Sequence, residues 1–150
     1  MTTYRFDPKA AAAAATVAAL FAVGVPAAAS TDGLPAAQTS GAVSYVTGGV
    51  GQHESQAFLQ HRRDYPLAVE IYARDGGHEV YTAGASVYIS TPRGETVLQA
   101  EADGPFLLAD VPPGRYIVEV DRQGDTQRKP VTVGHGGASR AVFVFQPTRS

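Results

Sequence analysis

From Leu67 onward, apolar residues recur at every second position, and segments rich in Gly, Pro and Asp interrupt them at short intervals. The alternation is clear in Leu67, Val69 and Ile71, and again in Val87 and Ile89. A period of two puts apolar side chains on one face of an extended strand. The interruptions, which favour tight turns, are 74–77, 91–94, 103–105, 112–114, 123–125 and 134–137. Because no helical pattern lies between them, the chain is predicted to be all-β, with about seven strands in an antiparallel sandwich or barrel.

The alternating apolar residues form the predicted core. They are Val69, Ile71, Val87, Ile89, Leu98, Phe106, Leu108, Tyr116, Val118, Val120, Val131, Val142 and Val144. The last strand leaves its register open, because both faces of Val142-Phe143-Val144-Phe145 are apolar. Either this strand is central and covered on its far side by the helix described next, or Phe143 and Phe145 mark a contact surface.

One short helix is predicted over residues 52–64, which contain no Gly or Pro and are rich in good helix formers. Gly48-Gly49 precede this segment and Pro66 ends it. Phe58 is its main apolar anchor. A helix this short and weakly amphipathic is marginal alone, so we expect it to pack on one face or edge of a sheet.

Residues 1–29 have the order of a secretory signal peptide. Arg5 and Lys9 precede an uncharged, Ala-rich run over 10–25, and three alanines follow Pro26. The run is shorter than the roughly 20 residues that span a bilayer comfortably. We therefore expect cleavage after Ala29 and a periplasmic or secreted protein without stable membrane insertion. The alternatives are a retained membrane anchor or an Ala-rich helix packed on the domain.

Residues 30–51 are rich in Gly, Ala, Ser and Thr and carry one charge, which favours a flexible linker. Within them, the alternation of Val43 and Tyr45 with small residues indicates a short edge strand or a docked extended segment at 43–47. The sandwich domain, including the helix, is then predicted to span 52–147.

The charge balance and the absence of cysteine exclude several classes of protein. Twelve basic and 14 acidic residues give a net charge of −2, which offers no electrostatic footprint for nucleic acid. The chain has no cysteine, which excludes disulfides, thiolate catalysis and Cys-ligated zinc. Stability must therefore come from an ordinary hydrophobic core.

The stretch from Gly84 to Val120 carries a recurring order of motifs. They read Gly84-Ala85-Ser86-Val87-Tyr88-Ile89, then Asp103-Gly104-Pro105-Phe106, then Pro113-Gly114-Arg115-Tyr116. This order resembles the carboxypeptidase regulatory-like family, whose members are transthyretin-like (prealbumin-like) β-sandwiches related in shape to immunoglobulin domains. The resemblance implies an antiparallel Greek-key β-sandwich of about seven strands, with the short helix packed on it. The resemblance covers Tyr45 to Gln146 and extends to small secreted proteobacterial proteins that consist of this domain. Because such sandwiches serve as folding aids, spacers and binding modules, it implies a fold and no single activity.

The residue patterns do not indicate a catalytic, cofactor or metal site. The peptidase zinc motif His-x-x-Glu is absent, and the metal-site alternative would combine His61 and Asp64 with His78 or His135. The transthyretin-like fold also includes 5-hydroxyisourate hydrolases, whose Tyr-Arg-Gly-Ser tail is not matched by residues 146–150. We therefore expect no cofactor and no enzymatic activity.

Two further alternatives rest on single residue types. Lys129, the one lysine after residue 29, is the candidate for an isopeptide crosslink to an Asp, against a solvated charge at a sheet edge. Tyr72, Tyr81 and Tyr88 are candidates for a carbohydrate-stacking patch, against ordinary cross-strand aromatic pairing.

The expected function is therefore a non-enzymatic interaction or structural module that binds a protein partner in the cell envelope. The nominated contacts are an unpaired edge strand or the turn loops. The loop residues are Gly77, His78, Gly104, Pro105, His135 and Gly136. The competing hypothesis is a small-ligand binder or hydrolase on the same sandwich, with Arg115, His78 or His135 as its polar groups.

Overall fold

The computed structural model describes residues 33–147, which form two packed β-sheets and one helix. The helix, α1, spans Gln52–His61. The strands are β1 Gln38–Ser40, β2 Val43–Gly48, β3 Leu67–Asp75, β4 His78–Tyr81, β5 Ala85–Ser90, β6 Thr96–Ala102, β7 Phe106–Asp110, β8 Gly114–Arg122, β9 Asp125–Val133 and β10 Ser139–Phe145. The predicted signal peptide, residues 1–29, lies outside the described residues.

Sheet A has the strand order β1-β2-β7-β3-β10, and sheet B has the order β6-β5-β8-β9. Strand β4 joins sheet A beside β3, where it pairs with residues 72–75 while β7 pairs with residues 67–70. All pairs are antiparallel except β3 with β10, which run parallel. The predicted all-β sandwich with one short helix is confirmed, with ten strands instead of about seven. The Greek-key connectivity stays a prediction.

The main core lies between the sheets. The predicted core residues that fill it are Val69, Ile71, Val87, Ile89, Leu98, Tyr116, Val118 and Val120. Val131 packs against it partly buried, and β7 contributes Leu107 and Ala109. Because neighbouring residues of a strand point to opposite faces, Phe106 and Leu108 lie on the other face of sheet A. They are buried, but in a second cluster.

The register of β10 contradicts the predicted core at two positions. Phe143 and Phe145 fill the core, whereas Val142 and Val144 lie on the outer face of sheet A and are half-buried. Phe143 pairs with Ile71, and paired residues in a sheet share a face. The strand is also an edge strand, so neither of the two arrangements considered for it is observed.

Helix α1 packs on the outer face of sheet A, which confirms that it packs on a sheet. Phe58 is fully buried, and its ring stacks on Phe106 with centroids 5.4 Å apart. Val46, Ala68 and Leu108 complete this second core. The helix ends at His61 instead of Asp64, because Arg62 makes the last helical bond, from its N to Phe58 O at 2.9 Å.

The predicted linker is wrong for residues 38–48, which form β1 and β2. Strand β2 pairs with β1 on one side and with β7 on the other, so it is not an edge strand. Val43, Tyr45 and Val46 are buried. The apolar residues of this segment are therefore part of sheet A, although its composition is rich in Gly, Ala, Ser and Thr.

Candidate contact site at one end of the sandwich

Three loops converge at one end of the sandwich. They are the α1–β3 loop (62–66), the β7–β8 loop (111–113) and the β9–β10 loop (134–138). They meet because β3 and β10 start at this end, while the antiparallel strand β7 finishes there. The convergence therefore follows from the pairing of sheet A.

These loops enclose an open groove of about 470 Å³, which we call the end groove. Its charged members are Arg63, Asp64 and Asp110, all exposed. The rest of its lining is mainly proline and glycine, namely Pro66, Pro112, Pro113, Gly134, Gly136 and Gly137. Because glycine and proline project little, the backbone of these loops is accessible to a ligand.

Hydrogen bonds anchor each loop to the frame. Ser139 N donates to Pro66 O at 2.8 Å, which joins the ends of two of the loops. The Tyr116 hydroxyl donates to Pro112 O at 2.5 Å and thereby connects strand β8 to the β7–β8 loop. His61 Nδ1 lies 2.8 Å from Asp64 Oδ2. The end groove thus lies at the ends of the strands, and hydrogen bonds connect its loops to the rest of the sandwich.

Charges of both signs lie at the end groove, two carboxylates and one guanidinium. Burial raises the pKa of Tyr65, and the neighbouring charges of Asp64 and Asp110 raise that pKa further. Arg63 supplies the opposing charge at the rim. A ligand at the end groove can therefore pair an acidic group with Arg63 and a basic group with Asp64 or Asp110.

The six nominated loop residues are divided among three places. Gly136 lines the end groove and His135 lies exposed in the same loop. Gly77 and His78 lie exposed at the opposite end, at the β3–β4 turn. Gly104 is buried beside Pro105 in the connection between β6 and β7.

The nomination of Gly104 and Pro105 as an exposed contact loop is therefore wrong. A Cβ at position 104 would lie 2.3 Å from Gly48 O, so this glycine permits close backbone packing. Pro105 O accepts a hydrogen bond from Ile71 N at 2.8 Å. Gly104 and Pro105 thus connect β7 to β2 and β3 and are buried, and only Asp103 of this turn is exposed.

The alternative sites are not assembled. Among residues 33–147, no group of three His, Asp or Glu side chains is placed to hold a metal ion. His78 lies at the opposite end of the sandwich from His135 and Arg115, so the three residues do not form one pocket. Lys129 Nζ contacts the carbonyl oxygen of Val142 and not a carboxylate.

The tyrosines do not form one patch either. Tyr72 lies on the outer face of sheet A, whereas Tyr88 lies on the outer face of sheet B. The backbone register pairs Tyr72 with Tyr81 across β3 and β4. A single stacking platform made of all three residues is excluded by this placement.

A buried carboxylate that the sequence reading missed lies on the outer face of sheet A. Glu70 is fully buried, and it accepts hydrogen bonds from Arg140, Arg62 and the Tyr72 hydroxyl. Burial raises the pKa of Glu70, but the hydrogen bonds from Arg140, Tyr72 and Arg62 outweigh it, so this pKa lies below its ordinary value. The available signal was an acidic residue inside an otherwise apolar strand, Leu67–Asp75. Three side chains of the protein donate hydrogen bonds to the Glu70 carboxylate, so we assign Glu70 a structural role.

The part of the chain that the structure describes contains no helix long and apolar enough to cross a bilayer. No protein-family model matches the chain, and no curated protein matches it significantly.

Proposed function

We propose that this chain is an exported, non-enzymatic β-sandwich that binds a protein partner in the cell envelope through the end groove. The observation that carries the proposal is the convergence of three anchored loops around exposed Arg63, Asp64 and Asp110. Loops held on a rigid sandwich are a common place for recognition sites. The signal-like residues 1–29 support export.

The character of the groove favours a protein surface over a small ligand. Small-molecule sites are concave, mostly apolar and enclose most of their ligand. Here the charged lining residues are exposed, and the glycine and proline backbone faces solvent. Such a lining suits a loop or extended segment of another protein that supplies hydrogen bonds and charges of its own.

The sheet edges favour the loops over strand addition as the contact. The Ser40 hydroxyl donates to Gln99 O at 3.2 Å and accepts from Gln99 N at 3.1 Å, so β1 covers the edge of β6. At the other corner, the Ser139 hydroxyl donates to Thr132 O at 2.7 Å, between β9 and β10. Side chains thus occupy backbone groups that an added strand requires.

The family assignment is part of this proposal. The motifs between Gly84 and Val120 resemble the carboxypeptidase regulatory-like family, and the two-sheet architecture is compatible with that resemblance. A binding or spacer role is what the resemblance implies.

Site-specific photocrosslinking tests the contact. A photoreactive residue would replace Pro113 or Gly136 in the end groove, and Gln99 or His78 as exposed controls elsewhere. We expect both groove positions to capture the same envelope protein in an expressing Gram-negative cell, and neither control to do so. Loss of this adduct in an Arg63→Glu variant would tie the capture to the groove charge.

Two results would contradict the proposal. One is an adduct of equal yield at the groove and control positions, which would place the contact elsewhere or make it nonspecific. The other is an intact mass that corresponds to the full chain in the cytosol, because export predicts a chain that begins at Ser30.

A further inference from the structure

Strand β10 is a seven-residue edge strand, and half of its backbone amides and carbonyls point away from its partner strand β3. It pairs only with β3 among the strands of sheet A. Ser139 N bonds to Pro66 O on the β3 side, whereas the carbonyls of Val142 and Val144 point toward β9. Because backbone groups alternate along a strand, Arg140, Val142 and Val144 present their amides and carbonyls to the open side.

Two side chains of β9 close this open side. Gln127 Nε2 donates to Val144 O at 2.9 Å, and Lys129 Nζ donates to Val142 O. The Lys129 ammonium also lies 5.2 Å from the centroid of the Phe143 ring, a cation–π contact. Two successive outward carbonyls of β10 are therefore occupied by side chains of a strand that does not pair with it.

Gln127 is half-buried and Lys129 is exposed, although both lie on the face of β9 that is turned toward the core. Gln127 and Lys129 share a face of the strand with Val131 and Val133, which contact the core. Inward-pointing charges and prolines on edge strands are known means of preventing edge-to-edge pairing. Pro130 lies between Lys129 and Val131, so β9 itself lacks one backbone donor.

We propose that Gln127 and Lys129 form a side-chain gate that keeps β10 from pairing with β10 of a second copy of this chain. The edge is self-complementary. In an antiparallel pair centred on Val142, each Val142 faces its counterpart and each Arg140 faces a Val144, so no like charges oppose one another. All three outward residues of each copy then exchange backbone hydrogen bonds. The inference concerns the β9–β10 corner and is independent of the end groove.

Removing the two donors while keeping the length and packing of the side chains tests the gate. The variant is Gln127→Met with Lys129→Met, measured by size-exclusion chromatography with light scattering. We expect the wild type to have the mass of one chain and the double variant the mass of two. The matched control is Arg128→Met, which adds an equal apolar side chain on the outer face of β9, where Arg128 pairs with Glu119. The control should remain monomeric.

Hydrogen exchange then locates the interface. In the associated variant, the amides of Arg140, Val142 and Val144 should exchange more slowly than in the same variant diluted to monomer. A natively folded double variant that stays monomeric would overturn the proposal, and so would association without protection in β10 or a wild type already paired through β10. If the double variant does not fold, Lys129→Met alone keeps the stem over Phe143 and is subject to the same criteria.

Discussion

Arg140 donates hydrogen bonds from two guanidinium nitrogens to the carboxylate of Glu70, although the two residues are 70 positions apart in the chain. Arg140 Nε lies 2.7 Å from Glu70 Oε1, and Arg140 Nη2 lies 2.6 Å from Glu70 Oε2. Arg62, which directly follows the helix, reaches Oε1 at 3.1 Å. One buried carboxylate thus connects the edge strand β10, the inner strand β3 and the end of the helix.

Replacing Glu70 with Gln should lower the free energy of unfolding by about 2 to 3 kcal/mol. The amide keeps the shape of the side chain but loses the charge, and its NH₂ group faces a guanidinium, so charge-assisted hydrogen bonds are lost from a buried position. Urea denaturation measures the change. The control is Glu101→Gln, an exposed residue of β6, which should change the value by less than about 0.5 kcal/mol. Equal losses in the two variants would refute the structural role of Glu70.

The same carboxylate should make stability depend on pH at the acid end. The pKa of Glu70 is lowered in the folded protein, whereas the unfolded chain has the ordinary value of about 4.3. A lowered folded pKa gives stability that is present above the unfolded pKa and lost as the pH falls through the folded pKa. The difference in unfolding free energy between wild type and Glu70→Gln should therefore be constant near neutral pH and shrink below about 4.3. A difference that grows with acidity would show that the pKa is raised instead.

Phe58 should carry most of the packing of the helix on sheet A. Phe58→Ala removes a fully buried ring stacked on Phe106, and we expect a loss of about 3 to 5 kcal/mol. The neighbouring Leu59 points outward and is 39% exposed, so Leu59→Ala provides the control, with a loss below about 1 kcal/mol. Thermal unfolding followed by circular dichroism measures both. Similar losses in the two variants would mean that the helix packs on a different face.

Gly104 should tolerate no side chain, because its Cα lies against the backbone of β2. In Gly104→Ala the new Cβ would lie 2.3 Å from Gly48 O, which forces β2 and the Asp-Gly-Pro turn apart. We expect a loss of about 2 kcal/mol or more in urea denaturation. Gly137→Ala is the matched control, because a Cβ there meets nothing within 4 Å and neither glycine has a positive φ. Its stability should stay close to that of the wild type, and a stable Gly104→Ala protein would contradict the close approach.

The features read correctly from the sequence are local ones. The period of two in Val87 and Ile89 identifies both a strand and its core face, because the alternation is a property of the extended backbone itself. Phe58 is predictable as the helix anchor for a similar reason, because a period of 3.6 residues places it on the apolar face of the helix, whereas the neighbouring Leu59 points outward. At the end groove, turn composition predicts Gly136, which lines it, and His135 in the same loop; Asp64 enters only as a candidate metal ligand, and Arg63 and Asp110 are not predicted. Arg63 and Asp64 are neighbours in the α1–β3 loop, but Asp110 is the last residue of β7, and nothing in the sequence shows that these two segments meet.

By itself, the sequence determined that residues 67–145 alternate between two faces, where most of the turns fall, and that one helix must pack on a sheet. These properties depend on neighbours a few positions apart. Only the tertiary structure decided that Phe143 and not Val142 enters the core, and that residues 38–48 join sheet A. It also decided that Glu70 is buried between two arginines. Each of these outcomes depends on which distant strand supplies hydrogen bonds and in what register. Strand pairing and register depend on interactions between segments far apart in the chain, so the local periodicity of one segment does not predict them.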